Sequence, residues 1–185
     1  MILGKEYSPL GRTGVGSLDV PVLCLILSLS RRADGFDFGF RVRSSVAPVL
    51  VPLSGFEHNF TDSLIPALEE AYLSSDIPIK ALILTNPHNP LAVCYPQKTL
   101  IECLKFCEKH RLHFISDEIY ALSVFRNSQI KNPIPFTSIL SIDLEKIGVN
   151  GSRVHMVWSM SKDFGQSGIR MVRYYSIVVW RCCLM

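Results

Sequence analysis

The stretch that decides the fold is Val154-His-Met-Val-Trp-Ser159, running straight into Met160-Ser-Lys-Asp-Phe-Gly-Gln-Ser-Gly-Ile-Arg170. Its first part is an apolar run of the length of a buried strand. Its second part carries a lone lysine, Lys162, close to the hydroxyls of Ser159 and Ser161, and then a Gly-rich turn ending in Arg170. A strand that delivers a reactive side chain at its carboxyl end is a feature of open α/β sheets, where ligands bind outside those strand ends.

The same pattern recurs upstream. Lys80–Thr85 is a strand-like run leading into Asn86-Pro-His-Asn-Pro90, and Leu112–Ser116 leads into Asp117-Glu-Ile-Tyr120. Between strands lie helical spacings. Leu64, Leu68, Ala71 and Tyr72 form one stripe, with Ser63 expected as the cap that leaves Pro66 in the first turn. Leu100, Ile101, Leu104 and Cys107 form another, on a helix expected to begin at Pro96 and to end at Lys109, His110 and Arg111. Val49–Leu53 predicts an earlier strand, and Val20–Leu29 a buried strand or core helix. Residues 121–151 read as loop, broken at Asn132-Pro133 and Ile134-Pro135. Strand, helix, strand, helix, strand with two-sided apolar runs predicts an α/β fold, a mostly parallel central sheet flanked by helices.

Composition narrows the function classes. The 185 residues are 48% hydrophobic and 19% charged, with a net charge of +3, which describes a globular chain. No basic stripe interleaved with aromatics points to nucleic acid. The apolar run Val20–Leu29 holds Pro21 and falls short of the ~20 residues a membrane span needs, so no membrane partner is expected. Cys24, Cys94, Cys103, Cys107, Cys182 and Cys183 lack zinc-ribbon spacing and predict reduced thiols in a cytoplasmic protein. Cys103 and Cys107 share a helix face. With His110 and His113 they suggest a metal site, against which stands the simpler reading of buried helix cysteines. On the cytoplasmic reading, the glycosylation-type triplets at Asn59 and Asn150 are accidental.

The polar residues at the three strand ends suit one chemistry. A lysine amine forms a Schiff base with the aldehyde of pyridoxal 5'-phosphate, and hydroxyls with a guanidinium can hold its phosphate. Lys162 is the candidate for the first task, and Ser159, Ser161 and Arg170 for the second. A carboxylate favours a protonated ring nitrogen, a task for Asp117. The ring oxygen takes hydrogen-bond donors, which Asn89 and Tyr120 can supply. Lys162, displaced by a substrate amine, can then move the α-proton as a general base. Singly, each residue has a plainer reading: Asp117 a cap, Tyr120 a core aromatic, Asn89 a turn residue, Lys162 a solvated lysine. Their joint occurrence, in order, at strand ends favours the site.

Asn86–Leu91, Ser116–Tyr120 and Ser159–Arg170 together resemble the three signatures of fold type I pyridoxal-phosphate enzymes of the class I/II aminotransferase family. His110–Phe125 with Ser161–Gly165 is similar to the 1-aminocyclopropane-1-carboxylate synthase-like branch. The resemblance covers about Val46 to Arg170 and implies the same residue roles, amino-acid substrates and homodimers with sites at the subunit interface. It leaves transamination and γ-elimination both open.

Some positions depart from the family pattern. Ala92 stands where glycine is usual, Gly14-Val-Gly-Ser17 matches the phosphate loop poorly, and Ser30–Asp34 lacks the aromatic that stacks on the ring. The expected organisation is a poorly matching segment 1–45, a partial large domain 46–173 and a divergent tail 174–185, with the small domain missing. Two further readings follow. One is a non-catalytic truncated form that binds the cofactor weakly or pairs with a full-length subunit. The other is a cofactor-free α/β binding module, which requires the three motifs to be coincidental.

Overall fold

The computed structural model describes residues 25–29, 46–51, 60–61 and 63–176. The Gly14–Ser17 and Ser30–Asp34 readings lie outside these residues, as do Val20–Cys24 and the segment 177–185. Six strands form one sheet: β1 (Leu25–Leu29), β2 (Val46–Leu50), β3 (Ile79–Thr85), β4 (His113–Asp117), β5 (Val154–Ser159) and β6 (Val172–Ser176), in the order β2-β1-β3-β4-β5-β6. The motif-bearing strands β3, β4 and β5 are parallel neighbours. β1 is antiparallel to both β2 and β3, and β6 is antiparallel to β5. Hence β2, β3, β4 and β5 all run in one direction, and only β1 and β6 oppose them.

The strands form where two-sided apolar runs occur. In β3 Ile79, Ala81, Leu82 and Leu84 are buried, in β4 Phe114, and in β5 Val154 and Met156. Two helices connect them: α1 (Leu64–Leu73) before β3 and α2 (Gln97–Lys109) between β3 and β4. A crossover helix is what joins parallel neighbours such as β3 and β4. Leu64, Leu68 and Ala71 of α1 and Leu100, Cys103, Leu104, Phe106 and Cys107 of α2 enter one core with Leu82, Leu84 and Phe114. Each fully buried Leu or Phe contributes about 1.5–3 kcal/mol. The helices are also joined at their edges. Tyr72 meets the Phe106 ring edge-on at 6.3 Å, and Glu69 takes Lys109 Nζ at 2.7 Å and His110 Nε2 at 2.9 Å.

Several boundaries differ from the sequence expectation. The strand expected over Val49–Leu53 is Val46–Leu50. Its Pro48 is tolerated because β2 is an edge strand with one partner. Ser63 does precede α1, but with helical dihedrals and without a side-chain capping bond. Pro66 is the third helical residue, where its missing N–H would have had no partner in the helix. Pro96 is the N-cap of α2 rather than its first residue, its ψ of 142° being extended. β4 includes Asp117 as its last residue. Segment 121–151 is loop and turns, with a 3-10 turn at Ile139–Ser141 and a second, Gly151–Arg153, beginning at its end. β6 was not anticipated.

Cys94, Cys103 and Cys107 are buried. Among the described residues no cluster could hold a metal ion. His110 is engaged by Glu69, and His113 by His155 at 2.8 Å. No helix among the described residues is long and apolar enough to cross a membrane.

Candidate active site at the carboxyl ends of the parallel strands

Sheet register places the three motifs side by side. Thr85 is paired with Asp117 across β3 and β4, and Asp117 with Val157 across β4 and β5. The ladder continues past the strands: Asn86 N donates to Asp117 O at 2.9 Å, and Glu118 N to Val157 O at 2.8 Å. Asn86 is buried and acts as a staple. Its Oδ1 accepts Tyr95 N, and its Nδ2 donates to Thr137 O, each at 3.1 Å. The loop it opens folds tightly, with His88 N donating to Val93 O and Ala92 N to His88 O. Asn89 is therefore presented at the loop's exposed tip.

Asp117 is half-buried at the end of the middle parallel strand. Burial pushes its carboxyl above the usual range, outweighing hydrogen bonds from Ile119 N and Thr85. Ile119 N reaches its Oδ1 at 3.2 Å. Glu118, the next residue, turns into the core. It is 2% exposed, and its Oε1 accepts Ser116 Oγ at 3.1 Å and Ile139 N at 2.8 Å. Tyr120 lies half-buried in the turn that follows.

Ser159 closes β5. It is buried, and its Oγ accepts Ser161 N at 3.2 Å, capping the short helix α3 (Met160–Asp163). Lys162 lies in α3 and is exposed, whereas Ser161 is half-buried. Gly165, at φ 61°, ends this turn in the left-handed region that glycine enters without steric cost. Arg170 also has left-handed dihedrals, φ 54° and ψ 35°, and its Nη1 donates to Ser167 O at 3.3 Å.

Asn89 and Tyr120 line one cavity of about 550 Å³, together with Pro87, Val93, Phe125 and Ile134. No charged side chain lines it among the described residues. Asp117, Ser159, Ser161, Lys162 and Arg170 are not part of its wall. Asp117 and Ser159 belong to neighbouring strand ends, and Lys162 is tied to the Tyr120 turn through Asp163. Arg170 is bonded locally and is not brought to the cavity. His88 also lines the cavity. It is 6% exposed, and neither ring nitrogen has a hydrogen-bond partner. Burial pushes its pKa down, so the ring is held neutral.

Two polar residues here escaped sequence reasoning. The sequence assigns Glu118 no role, yet it is a core acceptor. Asp163 stands in the sequence only as the residue after the lysine, yet its carboxylate accepts Trp158 Nε1, Leu122 N and Ser123 Oγ.

Comparison with known proteins identifies the family. Residues 39–175 match the family model for aminotransferase class I and II. The chain is 50% identical over 138 residues to a probable aminotransferase of Aspergillus oryzae, covering 75% of this chain and 33% of that protein. It is 43% identical over 115 residues to human 1-aminocyclopropane-1-carboxylate synthase-like protein 1, covering 62% of this chain and 21% of that one. Among solved structures it is similar to an aspartate aminotransferase from Rhodobacter sphaeroides (TM-score 0.49, 19% identity), over 62% of this chain and 27% of that one. The chain belongs to the class I and II aminotransferase family, whose cofactor is pyridoxal phosphate. It spans a third or less of the length of these relatives.

Proposed function

We propose that this chain holds pyridoxal 5'-phosphate through Lys162 and serves aminotransferase-type chemistry on amino acids. The observation that carries the reading is Asp117. A half-buried carboxylate ends the middle parallel strand, flanked by the Asn86–Pro90 loop on one side and the lysine turn on the other. A carboxyl held out of water gains from a cationic N–H partner, and a protonated pyridine nitrogen is one. The donor set therefore fits the group.

When bound, the cofactor supplies an electron sink for negative charge at the amino acid's α-carbon. The chain's own residues do the rest. Asp117 would accept from the ring nitrogen, and Asn89 Nδ2 and Tyr120 Oη would donate to the ring oxygen. Ser159, Ser161 and Arg170 would hold the phosphate. Lys162 Nζ would be the covalent attachment point and, once released, would take and return the α-proton. Among the described residues no charged side chain lines the cavity beside Asn89 and Tyr120, which suits amino acids with uncharged side chains. Both transfer and elimination remain within this reading. Similarity both to a probable aminotransferase and to a protein named as synthase-like supports its breadth. A homodimer and a cytoplasmic setting belong to the same proposal.

The test is cofactor affinity in Asp117→Ala. A charge-assisted hydrogen bond contributes about 1.5–3 kcal/mol, roughly tenfold or more in Kd. Absorption titrations of wild type and variant read it directly. Equal affinities would remove Asp117 from the site.

A further inference from the structure

We propose that Asp163 is a positioning residue that holds the Tyr120 turn and the Lys162 helix in one fixed relation. The inference rests on the reading of Lys162 and Tyr120 given above. Its basis is a set of three contacts from two separate segments. Asp163 Oδ2 accepts Trp158 Nε1 at 2.8 Å and Leu122 N at 3.0 Å. Asp163 Oδ1 accepts Ser123 Oγ at 2.5 Å. Trp158 lies in β5, and Leu122 and Ser123 directly follow the Tyr120 turn. One carboxylate therefore joins the strand that leads to Lys162, the helix that contains it and the loop that carries Tyr120.

Each link limits a different freedom. The indole bond stops α3 from rotating about the end of β5. It is reinforced by Phe164, whose ring meets Trp158 edge-on at 6.2 Å. The bond to Leu122 N fixes the loop's backbone, which a water molecule would otherwise satisfy without fixing anything. Tyr120 is held from its other side by Ala121 N donating to Glu118 O, and by Ser123 N donating to its own carbonyl. With both segments bound to one carboxylate, the Tyr120 turn and α3 cannot drift apart independently. Pre-set geometry of this kind is what a reacting centre depends on. Partial burial raises the Asp163 pKa, but the bonds from Ser123, Trp158 and Leu122 outweigh it and hold the carboxylate ionised.

Two substitutions separate positioning from plain stability. Asp163→Asn retains one carbonyl oxygen for Leu122 N and Trp158 Nε1, and its amide can donate to Ser123 Oγ, which accepts as readily as it donates. Asp163→Leu fills similar space and makes none of the bonds. The first readout is the pH midpoint of the absorption change of the lysine-bound cofactor, which depends on donors to the ring oxygen. Displacing Tyr120 should raise that midpoint by about one unit in Asp163→Leu, with Asp163→Asn near wild type. An unshifted midpoint in Asp163→Leu would overturn the proposal. The second readout needs no cofactor: hydrogen exchange across residues 119–124. Faster exchange in Asp163→Leu, restored in Asp163→Asn, supports the clamp, and wild-type protection in Asp163→Leu refutes it. Should wild type bind no cofactor at all, the function proposed above fails, while the exchange data still decide the clamp.

Discussion

Glu118 Oε1 accepts the backbone N–H of Ile139 at 2.8 Å, across twenty-one residues of chain. The same oxygen takes Ser116 Oγ at 3.1 Å, so one buried acidic residue anchors the loop that returns over the strand ends. Glu118→Leu leaves the Ile139 N–H buried without an acceptor and should cost about 1–3 kcal/mol. Glu118→Gln retains the shared oxygen and should cost less. Denaturant unfolding at neutral pH ranks the two.

The ionisation of Glu118 gives a second, signed expectation. Burial holds its pKa above the usual range despite bonds from Ile139, Ser138 and Ser116. The folded state therefore binds the proton more tightly than the unfolded one. Its contribution is most favourable below an unfolded pKa of about 4.3 and declines as pH rises toward the raised folded value. Relative to Glu118→Gln, wild type should lose stability across that window. A constant difference from pH 4 upward, by about one pH unit steps through neutrality, would contradict the burial argument.

Ala92 occupies left-handed backbone, at φ 53°, and stands where the resemblance calls for glycine. The Cβ clash in that region costs roughly 1–2 kcal/mol. Ala92→Gly should therefore raise stability by about 1 kcal/mol after the added chain entropy of glycine is set against it. Thermal melts of the pair read this, and a lower Tm for the glycine variant would refute it.

A row of three rings crosses β4, β5 and β6. His113 Nδ1 lies 2.8 Å from His155 Nε2, and Tyr174 Oη lies 2.6 Å from His155 Nδ1. Neutral tautomers satisfy the row, and one added proton can be shared along it. A second proton places two N–H groups nose to nose. Burial, with the nearby charge of His113 as a smaller cause, lowers the His155 pKa. Buried His88 is lowered too. The unfolded chain then binds protons more readily, so stability is intact above about pH 6.5 and falls as pH drops below it. His155→Phe should flatten that fall, as seen in melting temperature against pH. An equally steep fall in the variant would assign the effect elsewhere.

Much of this architecture is legible in the sequence because burial on two faces leaves continuous apolar runs. β3, β4 and β5 announce themselves in that way, and α2 by its stripe from Leu100 to Cys107. β6 does not. Val-Arg-Tyr-Tyr-Ser lies at an edge, mostly exposed, and owes its form to pairing with β5. The displaced β2 is similar, since pairing with β1 rather than local propensity sets its ends. At the site, Asp117 and Lys162 stand out in the sequence because one ends a buried strand and the other closely follows one. Glu118 and Asp163 do not, because contacts twenty-one and forty-one residues away decide what they do. Arg170, expected at the phosphate, donates to Ser167 O within its own turn.

The central claim is that Lys162 is the point of covalent attachment for the cofactor. The measurement that tests it most directly is borohydride fixation of pyridoxal 5'-phosphate on the purified chain, followed by mass mapping of the labelled peptide, with Lys162→Ala alongside. The account predicts a single phosphopyridoxyl group on Lys162 in wild type and none in the variant. Label of equal amount in Lys162→Ala, or wild-type label spread over other lysines, would contradict it.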